Sequence, residues 1–209
     1  MRERSDRKRK RKSSEDPRHL DGHFLISEIT LRDPNFYRSV ILMISHDAEG
    51  AFGLVVNHAS RFTLGEAVDA LEGSDAGSLP VYVGGPVQRE HLFVLHSEFS
   101  RDIGDAPRSR PIEGVIFEPA TQPIVDFLKD EWSAMPEAIR PVVRLYAGYS
   151  GWGPGQVEGE LKIDSWVVLR ATRQIVFHSD PENAWAEAFA QKGPLHQIIL
   201  QTGFKPSMN

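Results

Sequence analysis

The chain has no cysteine among its 209 residues. Disulfides, thiolate metal sites and a cysteine nucleophile are therefore excluded, and nothing argues for secretion. No apolar run approaches the ~20 residues that a membrane-crossing helix needs. The charged N-terminus lacks the apolar segment of a signal peptide, so a cytoplasmic location without a membrane span is expected. A Gly-x-Gly-x-x-Gly fingerprint is missing, as are His-Glu-x-x-His and His-x-His patterns among the eight histidines. No internal repeat is visible. Neither a cofactor nor a metal is expected.

What is present is ordinary in bulk: 40% hydrophobic and 25% charged residues. A chain of this length buries roughly 70% of its unfolded surface, enough for a core without staples. Its charge is unevenly divided. Residues 1–12 carry eight Lys/Arg and two acids, a net of +6, and the remainder holds 16 basic and 27 acidic residues, a net of −11. Residues 1–21 read as a disordered basic arm and residues 22–209 as one folded domain. The acidic body repels phosphate backbones, so nucleic acid is a candidate partner only through Arg2 to Lys12.

The central stretch is Arg38 to Asn57. Val40–Ile44 and Phe52–Val56 are short, β-branched runs separated by His46-Asp47-Ala48-Glu49-Gly50, the pattern of a β-hairpin. The first run has no polar alternation and predicts a strand covered on both faces. Further strands are expected at His23–Ile29, Leu79–Val83, Glu90–His96, Gly114–Phe117, Val142–Ala147, Trp166–Leu169 and Gln174–Phe177. Leu79–Val83 and Glu90–His96 are compatible with a second hairpin. Helices should start at Thr63 (a capping box with Glu66), Thr121, Gln156 and Asp180-Pro181, with a final helical turn after residue 194. Residues 97–112 and Gly148–Gly155 read as loops. Hairpin signals outnumber crossover signals, which predicts α+β: one domain with a curved or barrel-like, mostly antiparallel or mixed sheet and flanking helices.

Catalytic signals are thin. Ser150 sits in Gly-Tyr-Ser-Gly-Trp, but a nucleophile elbow needs glycine where Trp152 stands. Gly84-Gly85-Pro86 could offer amides to an anion, yet it lacks the Lys and Ser/Thr of a phosphate loop, and a tight turn between strands is the better reading. His91 and His96 should lie on opposite faces of a strand. A set of turn residues remains: Asp33, Asn35, Arg38, Asn57, Gly84, Gly85, Tyr149, Trp152 and Gln156. Each has a structural explanation: Asp33 and Asn35 would cap a turn, Arg38 would pair with a carboxylate and Trp152 would seal the core. Together, polar and aromatic groups at strand ends also suit a ligand or partner site.

Four ordered motifs carry a resemblance: Asp33-Pro34-Asn35-Phe36, Gly50 to Asn57, Tyr82 to Val87 and Tyr146 to Gln156. Over about Gly22 to Gly193 the chain resembles the AlgH/YqgE family of bacterial proteins. The resemblance implies a single α+β domain with a strongly curved sheet, and a family name taken from a proposed role in transcriptional control, without a DNA-binding motif. His58-Ala59 stand where the family commonly has Arg-Pro, and Ser150 replaces a usual alanine. The expectation is a non-enzymatic binding or regulatory domain with an unknown protein or small-molecule partner, its site formed where the four segments meet. The alternatives are a hydrolase or small-molecule enzyme using the same cleft, and nucleic-acid association through the arm.

Overall fold

The β-rich hairpin forms as its pattern requires. In the computed structural model, which describes residues 19–99 and 101–204, the first strands are β1 (His23–Ser27), β2 (Val40–Asp47), β3 (Gly50–Val55) and β4 (Ala59–Thr63). Helix α1 (Leu64–Ala67) follows, then β5 (Pro80–Val83), β6 (Val87–His96), β7 (Ser109–Ile112) and β8 (Val115–Pro119). The rest comprises α2 (Gln122–Phe127), β9 (Val143–Trp152), α3 (Gln156–Lys162), β10 (Trp166–Arg170), α4 (Arg173–Val176), α5 (Pro181–Ala190) and α6 (Pro194–Thr202). The basic arm expected over residues 1–21 falls, for residues 1–18, outside the described residues.

The strands form one sheet in the order β10-β1-β2-β3-β9-β6-β8-β7, with β4 on β5 and β5 on β9. Every pairing is antiparallel except β5 with β9. The sheet curls until the start of β1 approaches β7: a Cβ on Gly22 would lie 2.5 Å from the Pro111 carbonyl oxygen. This is the single α+β domain that the pattern predicts.

Side-chain alternation divides the core. Phe24, Ile26, Leu42, Leu54 and Tyr146 point to the concave face, where Trp185 and Phe189 of α5 and Ile199 of α6 fill it. Leu25, Ile41, Met43 and Val55 point the other way, against Trp152 and Trp166. Strand β2 is therefore covered on both faces, as its unbroken apolar run implies. Leu64, Val94, Ile124, Leu128 and Leu145 form a further cluster under α1 and α2.

The caps at Thr63 and Asp180 hold as read, whereas Thr121 opens α2 without a side-chain cap bond, its Oγ1 having no partner among the described residues. Glu66 Oε2 accepts from the Thr63 backbone N–H at 2.7 Å and from its hydroxyl at 3.0 Å, and these bonds hold the Glu66 carboxyl below its ordinary range. Asp180 Oδ1 accepts from Asn183 N–H at 3.3 Å, opening α5.

Four expectations are corrected. Gln174–Phe177 is not a strand: Thr172 caps α4, and Ile175 and Val176 reach the concave core from a helical turn. β-Branching raised the strand signal, and burial of these two side chains overrode it. Residues 97–112 contain β7, and the loop assigned to Gly148–Gly155 is strand as far as Trp152. The second hairpin does not form, because β5 and β6 flank β9 instead of each other.

That last correction explains the glycines. Tyr146 pairs with Tyr82 of β5 on one edge of β9 and with Phe93 of β6 on the other. The chain must therefore cross β9 between Val83 and Val87. A Cβ on Gly84 would lie 2.3 Å from Gly148 O, and one on Gly85 (φ +156°) 2.2 Å from Tyr149 C and O. A Cβ on Gly148 would in turn lie 2.7 Å from Val87 O. Two backbones touch here, and only glycine leaves the room. Beyond Gly148, β3 replaces β5 on the same edge of β9, pairing Gly53 with Ser150.

Gly85→Ala is expected to destabilise the fold by more than about 2 kcal/mol, through contact and backbone strain together. Gly159→Ala, in exposed α3 with nothing within 4 Å of the new Cβ, should stabilise by about 0.5–1 kcal/mol. Urea denaturation of both variants checks the contrast, and equal effects would refute the crossing as its cause.

Candidate functional site

The loop between β1 and β2 is pinned at its end. Ser39 N–H donates to Ser27 Oγ at 2.9 Å, and Ser27 N–H donates to Ser39 O at 3.0 Å. Arg38 precedes that pin with φ +51°, a conformation that L-residues other than glycine adopt at a cost. Asn57 holds it there. Its Nδ2 donates to Arg38 O at 2.9 Å, and its Oδ1 accepts from Val40 N–H at 2.7 Å. Both functions of the buried amide are thus spent on the backbone.

His58 completes the clamp. Its ring is partly buried and bonded to the backbone of Arg38 and Tyr37; burial lowers its pKa, and those two bonds partly oppose the shift. Its own carbonyl accepts from Val83 N–H at 2.8 Å, tying the corner to β5 just before the glycine crossing.

Against this corner lies the start of α5. Arg38, Asn57, His58 and Ala59 face Ser179, Asp180, Pro181 and Glu182 across an open cleft of about 590 Å³. Trp185, buried one turn into α5, donates from Nε1 to Ser27 O at 2.9 Å. The Arg38 guanidinium lies 5.2 Å from the Trp185 ring centroid and 5.4 Å from that of Tyr37. The carboxylate expected for Arg38 is not there: among the described residues it forms no ion pair. Arginine on aromatic faces is held without using its donors on an acid. One wall of the cleft therefore offers an exposed, stacked cation, and the opposite wall the carboxylates of Asp180 and Glu182.

The other residues singled out from the sequence lie in different settings. Asp33 Oδ1 accepts from Asn35 N–H at 2.8 Å, the expected turn, and Asn35 Oδ1 accepts from Arg89 at 3.4 Å. Gly84, Gly85 and Tyr149 belong to the crossing, where the Tyr149 ring lies 4.8 Å from Phe52. Trp152 and Gln156 build a clamp around Glu160, whose Oε2 accepts from the Trp152 indole at 3.0 Å and the Trp166 indole at 2.7 Å. Gln156 Nε2 donates to Glu160 Oε1 at 3.0 Å. Phe36 stacks on Trp152, which links this clamp to the Asp33–Arg38 loop. The segments adjoin through packing, but of the nine residues only Arg38 and Asn57 line the cleft. Ser150 is fully buried and donates to Gly84 O at 3.2 Å, so its hydroxyl tethers the crossing.

Sequence reasoning did not select His58, Ser179, Asp180, Glu182 or Trp185. The Asp180-Pro181 helix start was the available signal, read as a cap alone. His96, which belongs to no metal-binding pattern in the sequence, has a defined setting. It is buried, with Nε2 2.7 Å from Glu118 Oε1 and Nδ1 2.7 Å from Ser97 O. His91, by contrast, is exposed beside Glu90, so the two histidines differ as the strand reading requires.

Comparisons with known proteins agree with one another. The family model described as AlgH-like (DUF179) matches residues 24–197. A UPF0301 protein of Saccharophagus degradans is 36% identical over 189 residues, covering 88% of each chain. One of Pseudoalteromonas translucida is 33% identical over 193 residues, covering 88% of this chain and 97% of the relative. The solution structure of AlgH from Pseudomonas aeruginosa matches with a TM-score of 0.66 and 27% identity, covering 94% of this chain and all of that one.

Two outcomes test the corner. Arg38→Gly should be more stable than Arg38→Ala by about 1 kcal/mol, since glycine alone relieves the left-handed strain; equal stabilities in denaturant would refute the strain. His58 binds protons less readily folded than unfolded, so its contribution is present above the unfolded pKa near 6.5 and is lost as pH falls below it. His58→Asn should therefore show a smaller loss of stability between neutral and mildly acid pH than the parent chain, and an unchanged slope would refute the assignment.

Proposed function

The chain belongs to the AlgH-like family, and from that premise we propose that it is a non-enzymatic binding or regulatory domain whose ligand seats an anionic group on Arg38. The observation that carries the reading is the Arg38 corner: a strained backbone, clamped by Asn57 and His58, presents a guanidinium without an acid partner among the described residues to a cleft of about 590 Å³. Backbone strain of this kind costs on the order of 1–3 kcal/mol and is retained where it positions a group for use. Asp180 and Glu182 on the far wall favour a ligand that also carries a positive group, and disfavour a bare polyanion. Such a ligand is a small amphoteric molecule or a charged segment of a protein. A transcriptional role, implied by the resemblance, would run through a protein partner or through Arg2 to Lys12, because the rest of the chain carries −11.

An enzymatic reading is favoured by one observation, the buried carboxylate of Glu118 within hydrogen-bond reach of His96. Both ring nitrogens of His96 are already committed, and the Ser97 hydroxyl beside it accepts from Val142 N–H at 2.8 Å. The pair reads better as a pin between β6 and β8.

Native mass spectrometry of the chain purified from its own host should show a bound molecule that Arg38→Gly, with its backbone unstrained, no longer retains. If both proteins carry the same molecule, or if neither does and amphoteric metabolites leave the amides around Arg38 unshifted in NMR titrations, the reading fails.

A further inference from the structure

A second cavity, of about 260 Å³, lies where the end of β6 and the loop after it meet β7 and β8. Its charge is unusual for an acidic body. Arg101, Arg108 and Arg110 line it together with only two acids, Glu98 and Asp102. His96, 1% exposed, also lines it, stacked on Phe99 with ring centroids 3.7 Å apart. Behind the imidazole lies Glu118, also 1% exposed, whose Oε2 has no hydrogen-bond partner among the described residues. Both imidazole nitrogens face oxygen atoms, Nε2 that of Glu118 and Nδ1 that of Ser97, so the ring is held on both sides. The cations of the cavity are the three guanidiniums.

Each guanidinium already has an acid: Arg110 with Glu98 at 2.7 Å, Arg108 with Asp102 at 2.6 Å, and Arg101 with Glu131. Those acids are outward-facing, with side chains 61%, 82% and 48% exposed respectively. Exposed pairs of this kind contribute little, and their acids return to water at small cost. The Arg108 side chain, 31% exposed, is far more enclosed than its partner Asp102. A ligand oxyanion entering the cavity would replace two carboxylates at once and meet in Arg108 a donor less hydrated than a free surface arginine. Planar guanidiniums bind carboxylates and phosphates alike through paired N–H donors, and several guanidiniums lining one cavity favour a dianion with three oxygens over a single carboxylate.

We propose that this cavity is a binding site for a phosphate group, seated between Arg108 and Arg110 and reached by Arg101, with the His96–Glu118 pair and Phe99 fixing its floor. The site is separate from the Arg38 cleft and stands whether or not that cleft holds a ligand. The source is inorganic phosphate or a phosphate monoester, two forms of one chemistry.

The test is an amide NMR titration of the full chain with inorganic phosphate, then with glycerol phosphate, at ionic strength held constant with sodium chloride. Saturable shifts are expected at residues 96–99 and 101–110. Arg108→Gln and Arg110→Gln should each weaken phosphate binding roughly tenfold, the loss of a charge-assisted contact. Both variants remove an exposed pair and should keep a dispersed spectrum. Tighter binding of glycerol phosphate assigns the site to monoesters, and tighter binding of phosphate assigns it to the free ion; both outcomes support the proposal. Shifts that sodium chloride reproduces, shifts centred on Arg38, or equal affinities in the variants would overturn it.

Discussion

The passage of Gly84-Gly85-Pro86 across β9 is the contact on which the rest of this fold depends. Strands β5 and β6 bind opposite edges of one strand, so their connection has to pass over it within a few residues. The crossing is possible because Gly84, Gly85 and Gly148 leave no Cβ between the two backbones. It is also bonded outward: Gly84 N–H donates to Ala147 O at 2.9 Å, and Gly84 O accepts from Val55 N–H at 2.8 Å and from the Ser150 hydroxyl. These three bonds lock β3, β5 and β9 together.

The Arg38 corner inherits its position from that lock. Val55 bonds to the crossing, Val56 N–H bonds to Val40 O at 2.8 Å, and Asn57 and His58 follow directly. A strained loop residue is held only when its surroundings over-determine it. Here the surroundings are a strand end, an amide with both functions committed, and an imidazole that burial keeps from charging easily. The two arginine-bearing cavities differ in kind. Arg38 rests on aromatic rings, whereas the arginines around His96 are balanced by exposed acids.

Much of the architecture was legible because it is local. The β2–β3 hairpin, the Thr63–Glu66 box and the Asp180-Pro181 start each depend on residues within a few positions of one another, and each formed. Gln174–Phe177 was misread because a short β-branched run carries no length or period to separate strand from helix. The glycine motifs were noticed, but a turn glycine and a crossing glycine look alike until the partner backbone is known. Asn57 and Arg38 were selected for their residue types, and their shared corner could not be inferred from spacing.

The sequence by itself determined the alternation that buries both faces of β2, the caps at Thr63 and Asp180, and the division of charge between residues 1–12 and the rest. These follow from side-chain period and short-range hydrogen bonding, which need no knowledge of the rest of the chain. Only the tertiary structure decided which edge of β9 each strand would take, that Trp185 would bond to Ser27 158 residues away and underlie Arg38, and that His96 would face Glu118. Those pairings depend on register and crossing, where a one-residue shift moves every side chain to the opposite face.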